Sequence, residues 1–144
     1  MTRTSMASGP APIFRRGMLP DIATALSTRL VGQPALAAAA LPRLAVADAG
    51  LLGPNRPAGV FMLLGPTGTG KTHAVEVLAE ALHGSRSCML RVDCGEFQMD
   101  HEVAKLIGAP PGYLGHRETQ SWFTQHKMNA ITSENCGLAI VLFD

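Results

Sequence analysis

Cysteine is scarce in this chain. Cys88, Cys94 and Cys136 are the only three, an odd number with no CxxC pair. That pattern excludes a disulfide framework and a cysteine-spaced zinc site. It leaves three buried, reduced thiols as the expectation. An excess of charge of either sign is also missing, since twelve Lys and Arg oppose eleven Asp and Glu. The balance supplies no electrostatic reason for nucleic acid or an anionic membrane as partner. No apolar run approaches the ~20 residues that span a bilayer. The N-terminus lacks the apolar core of a signal peptide, so Arg15-Arg16 reads as a solvated pair and the cytoplasm is the expected location. The five histidines, His73, His83, His101, His116 and His126, form no pair at metal-ligand spacing with a third ligand. They are assigned to the surface or to helix ends. Internal repeats are absent.

What is present suits one globular domain. The 144 residues are 47% apolar and 16% charged, which argues against disorder. A domain of this length buries about two-thirds of its unfolded surface. Residues 1–20 are rich in Gly, Pro and small polar residues and are expected to form a mobile leader. Residues 21–144 form the domain.

Within the domain, Ile22, Leu26 and Leu30 recur at helical spacing and predict a helix over Asp21–Leu30. Pro34 opens a second helix, where proline is favoured, and Leu36, Ala40, Leu44 and Ala47 line one face of it. Pro42 is expected to kink this helix, and Gly50 or Gly53 to end it. Val60–Leu64 is a continuous apolar run, as expected of a strand buried on both faces. A helical stripe runs from His73 to Leu82, with Gly84 as its cap. Glu76 and Glu80 fall on its solvent side. Cys88–Val92 and Leu138–Phe143 read as two further strands. Glu102–Ile107 and Thr119–Ile131 read as helices, and Gly108–Gly115 as a loop. Strands alternating with helices predict an α/β fold with a parallel sheet flanked by helices.

Between the apolar run and the stripe lies Gly65-Pro66-Thr67-Gly68-Thr69-Gly70-Lys71-Thr72. The pattern G-x-x-x-x-G-K-[ST] is a phosphate-binding loop when it joins a strand to a helix. Glycines let the backbone curl so that successive N–H groups point at phosphate oxygens. The positive end of the following helix adds to the attraction. Lys71 is placed to reach the outer phosphates, and the Thr72 hydroxyl to coordinate Mg²⁺. A chance match in a chain of this length is on the order of 1 in 200. The motif therefore predicts binding of ATP or another nucleoside triphosphate.

Ile140-Val141-Leu142-Phe143-Asp144 is an apolar strand ending in a carboxylate. Paired with an upstream phosphate loop, that pattern marks Asp144 as a holder of the metal, directly or through water. Asp93 and Glu96 follow the second strand at the same expected edge of the sheet and are candidates for a supporting role.

A set of segments in fixed order makes the reading specific. These are Leu30–Gln33, Pro54–Pro57, Leu64–Thr72, Arg91–Asp93 with Glu96-Phe97, and Leu106–Gly115. Together they resemble the second ATPase module of the Clp family of AAA+ protein unfoldases. The resemblance covers residues 28–115 and returns at 140–144. The Gly108-Ala109-Pro110-Pro111-Gly112-Tyr113-Leu114-Gly115 run narrows it to Clp. By that resemblance the fold is the large AAA+ subdomain, a P-loop NTPase, and the cofactors are ATP and Mg²⁺. Val31 and Gly32 match the segment lining the adenine pocket. Pro66–Thr72 match the nucleotide loop, with Lys71 and Asp144 as catalytic and Thr72 and Asp144 as metal positions. Gly112–Gly115 match the axial pore loop, whose Tyr113 would offer a sequence-tolerant aromatic contact to a polypeptide. The family forms hexameric rings that unfold polypeptides, alone or for a partner protease.

Residues 116–137 depart from the family pattern, and Pro42 interrupts a helix the family runs unbroken. Trp122, Phe123 and Met128 read as packing residues. The catalytic Glu that follows the family's Asp, its sensors, its arginine finger and its lid subdomain have no counterpart within the 144 residues. Two readings stay open: an ATP-driven unfoldase, and a truncated module that binds ATP without hydrolysing it. A nucleic-acid motor or clamp loader is a third, which the balanced charge and Tyr113 oppose.

Overall fold

In the computed structural model, residues 13–30, 32–53, 56–98, 100–107 and 123–144 are described. The elements run α1 (Met18–Arg29), α2 (Pro34–Asp48), α3 (Lys71–His83), β1 (Leu90–Val92), α4 (Asp100–Ile107), α5 (Gln125–Ala130) and β2 (Val141–Phe143). A single 3₁₀ turn, Cys94–Glu96, follows β1.

Helix α1 is the centre of the core. Met18, Ile22 and Leu26 recur every four residues and are buried, and Leu30 continues the stripe beyond the helix. This face packs against both α2 and α3. Helix α2 contributes Leu36, Ala40, Leu44 and Ala47, as its periodicity predicts. It starts at Pro34 and continues through Pro42 to Asp48. Helix α3 contributes Ala74, Val77 and Leu82 and is capped by Gly84 at a φ of 80°. Each large apolar side chain buried in this way contributes about 1.5–3 kcal/mol.

Residues 1–12 of the expected leader lie outside the described residues. From Ile13 onward the chain is tied into the fold. Phe14 is 2% exposed and forms an antiparallel bridge with Cys136. Backbone bonds from Arg15 N to Asn135 O and from Gly137 N to Ile13 O flank it. Burying Phe14 is what holds Ile13–Pro20 in place, and α1 begins three residues earlier than predicted.

The sheet has two strands among the described residues. β1 and β2 are parallel, with Leu90 opposite Val141, Arg91 opposite Leu142 and Val92 opposite Phe143. Both are shorter than the predicted segments because pairing begins only where Leu90 N reaches Ile140 O. The Leu138 and Ile140 side chains pack on the core, and of the two only the Ile140 carbonyl joins the ladder.

The strand expected over Val60–Leu64 is not formed. The segment is extended, but no strand lies beside it among the described residues. Val60, Met62 and Leu64 are more than 80% exposed, and Leu63 alone of the five packs on the core. An apolar run becomes a buried strand only where a ladder covers its edges and layers cover its faces. Here one side chain finds a surface.

Smaller expectations also change. Cys136 is buried as predicted, but Cys88 is half-buried and Cys94 exposed, all three as free thiols. Glu80 is not merely solvated, because it pairs with Arg29 of α1 and with Arg86. These contacts, the Arg86 hydrogen bond foremost, hold its carboxyl below the usual range against a smaller opposing effect of burial. Of the predicted Thr119–Ile131 helix, residues 119–122 lie outside the described residues and Gln125–Ala130 is helical. Thr124 caps it by accepting from Lys127 N. Among the described residues no helix is long and apolar enough to cross a membrane.

Candidate functional site

The loop Gly65–Gly70 joins the extended Val60–Leu64 segment to α3 and lies on the surface. Gly68 and Gly70 take φ values of 84° and 80°, a conformation that side chains disfavour. Gly70 is the N-cap of α3, and among the described residues no side chain caps that end. The first N–H groups of the helix are therefore left to an outside acceptor.

Three side chains shape the loop from within and from beside it. Lys71 Nζ donates to Gly65 O at 2.9 Å and to Pro66 O at 2.7 Å. The Thr69 hydroxyl donates to Pro66 O at 2.9 Å. Gln33 Nε2 donates to Thr69 O at 3.0 Å from 36 residues away. A Cβ on Gly65 would sit 3.1 Å from the Thr69 hydroxyl oxygen, so the loop closes tightly on its first residue. Thr72 is half-buried in the first turn of α3.

The predicted site residues are brought together only in part. Val31 and the pore-loop positions Gly112, Tyr113, Leu114 and Gly115 lie outside the described residues. Gly32 is exposed with a φ of 80°, and its neighbour Gln33 connects that turn to the phosphate loop. Asp144 stands at the end of β2. Its backbone N–H donates to Val92 O and its carbonyl accepts from Cys94 N. Its carboxylate pairs with Arg91 of β1. No hydrogen bond or ion pair joins Asp144 to Lys71 or Thr72 among the described residues. Asp93 is occupied locally, accepting from Gly95 N at 2.8 Å.

Sequence reasoning missed three contacts: Gln33 on the loop, Arg91 on Asp144, and Glu80 between two arginines. Pairing Cys88–Val92 with Leu138–Phe143 in parallel would have exposed the second, since side chains two residues apart diagonally share a face. The other two cross between elements and carry no periodic signal.

The model of the AAA domain (Cdc48 subfamily) matches residues 56–144. The chain belongs to this AAA family. The match carries the P-loop NTPase fold with it, and the likeness to Clp proteins stands alongside it. Chaperone protein ClpB of Chlamydia trachomatis serovar D is 48% identical over 93 residues, which is 65% of this chain and 11% of that protein. ClpB of Rhodopseudomonas palustris is 50% identical over 93 residues, with the same shares covered. ClpB of Propionibacterium freudenreichii subsp. shermanii is 44% identical over 98 residues, 68% of this chain and 11% of that protein. The chain thus spans about a tenth of the length of these relatives.

Proposed function

We propose that this AAA chain grips ATP with Mg²⁺ at Gly65–Thr72 and serves an ATP-driven chaperone that unfolds polypeptides. One observation carries the reading. A loop with two left-handed glycines runs into a helix end that no side chain caps, with the Lys71 ammonium drawn across its carbonyls. Such a loop offers backbone N–H donors, a helix dipole and a cation to one triphosphate.

The residue roles are those that the likeness to Clp proteins implies. The backbone of Pro66, Thr67, Gly68, Thr69 and Gly70 wraps the phosphates, and Lys71 holds the outer ones. Val31 and Gly32 flank the adenine. The Thr72 hydroxyl and Asp144 carboxylate would hold the metal. Among the described residues no three His, Cys, Asp or Glu side chains converge on a cation. A donor set of one hydroxyl and one carboxylate, completed by phosphate and water oxygens, suits Mg²⁺. Held there, Mg²⁺ would supply positive charge against the negative charge that builds in phosphoryl transfer. Tyr113, within Gly112–Gly115, would contact the polypeptide in a homo-hexameric ring, with or without a partner protease.

The test is binding of labelled ATP in Mg²⁺ by the 144-residue chain. Lys71→Ala should weaken it at least about tenfold, the worth of one or two charge-assisted contacts. Unchanged affinity would sink the proposal. A second reading, binding without hydrolysis, is favoured by the engagement of Asp144 with Arg91 instead of with the loop. A phosphate-release assay decides between the two.

A further inference from the structure

The residue after Gly32 reaches the phosphate loop with its side chain. Gln33 is half-buried and stands at the N-cap of α2, yet its side chain makes no capping bond there. Pro34 at the first helical position lacks an N–H, so that end of the helix has one orphan donor fewer. The carboxamide is spent on Thr69 O instead, at 3.0 Å. The acceptor is a carbonyl, so the amide nitrogen must face it.

The position of that carbonyl matters. A loop that turns its N–H groups toward a phosphate must turn carbonyls away from it, and each carbonyl seeks a partner. Gly65 O and Pro66 O take Lys71, Pro66 O also takes the Thr69 hydroxyl, and Gly70 O takes Ala74 N. All of those donors lie in the loop or in α3. Thr69 O is held from outside. Its peptide unit joins Thr69 to Gly70, whose φ is 80°. Glycine occupies either sign of φ about equally well, so this unit can rotate at little cost unless something grips it. In a planar trans peptide the carbonyl and the N–H point in opposite directions. Gripping Thr69 O therefore aims the Gly70 N–H.

We propose that Gln33 is a positioning residue for the phosphate loop: by holding the Thr69 carbonyl it points the Gly70 N–H at the bound phosphate, and it couples the turn at Gly32 to the loop. The inference rests on the nucleotide reading above and deepens it. Helix α2 gives the grip a firm base, since Leu36, Ala40, Leu44 and Ala47 anchor it in the core.

The experiment compares the wild-type chain with Gln33→Met and Gln33→Glu. Met keeps the length without a donor, and Glu sets an acceptor against an acceptor. Affinities are measured for ATP with Mg²⁺ and for inorganic tripolyphosphate, which has no base. The Thr69 carbonyl and Gly70 amide shifts are read by NMR with and without ligand. Gln33→Met should weaken both ligands by roughly 2–10-fold, the worth of one net hydrogen bond. Gln33→Glu should weaken both more. The Thr69 carbonyl shift should move in both variants before any ligand is added. The unfolding midpoint should change by no more than about 2 °C, because the contact is exposed. Loss of ATP affinity with tripolyphosphate unaffected would overturn the proposal and put Gln33 on the base. Unchanged affinities would overturn it too, as would a large fall in the midpoint with no change at Gly70. If the wild type bound neither ligand, the nucleotide reading would fail first. The ligand-free shift at Thr69 would still report on the grip.

Discussion

Arg91 and Asp144 form an ion pair across the parallel ends of β1 and β2, two registers apart on one face. The pair ties the carboxylate proposed for the metal to the neighbouring strand. Both side chains are substantially exposed, at 56% and 39%, so solvent and salt weaken the attraction. Arg91→Met is therefore expected to cost less than about 1 kcal/mol in urea unfolding. It should also free Asp144 for a cation. The ratio of ATP affinity in Mg²⁺ to affinity in chelator should rise by roughly 1.5–5-fold. A ratio that fell would mean that Arg91 aims Asp144 at the metal instead of competing for it.

Leu26 is fully buried where α1 meets α2 and α3. Leu26→Ala leaves a cavity that three helices cannot close without moving, and about 2–5 kcal/mol of stability should be lost. Leu26→Met, which conserves volume, should cost less than about 1.5 kcal/mol. Met62→Ala is the control: that side chain is 82% exposed, and its removal should lie within about 0.5 kcal/mol of wild type. Urea titration followed by far-UV circular dichroism measures all three. A large loss at Met62 would show that the apolar run is covered, contrary to its exposure.

How far the chain could be read from its sequence depended on the range of the interactions involved. The stripe Ile22, Leu26, Leu30, the start at Pro34 and the cap at Gly84 were all legible, because helix signals are local and repeat every turn. The phosphate loop was legible for the same reason: its glycines and Lys71 are neighbours in the chain. Val60–Leu64 was misjudged because apolar content says only that a strand is possible, whereas partners along both edges decide whether it forms. Phe14 was lost in a stretch that composition marks as mobile, since its bridge to Cys136 spans most of the chain. The contacts of Gln33 and Arg91 were hidden likewise, as long-range pairs formed by single side chains.

His83 sits at the end of α3 and is only 7% exposed. Its Nδ1 lies 3.0 Å from the Ser133 hydroxyl, while the buried Nε2 has no hydrogen-bond partner among the described residues. Burial pushes its pKa below the ordinary 6.5, and the nearby backbone of Leu138 offsets this only in part. The folded state therefore binds this proton less readily than the unfolded chain does. The stabilising effect of a neutral His83 is fully present above pH 6.5 and is lost as the pH falls through 6.5 toward the lower folded value. Urea midpoints measured from pH 7.5 down to 5.5 should decline for the wild type. In His83→Leu the decline over that window should be smaller, because the imidazole that must be charged is gone. Equal slopes in the two proteins would mean that His83 takes up its proton without disturbing the packing between α3 and the Ser133–Cys136 turn.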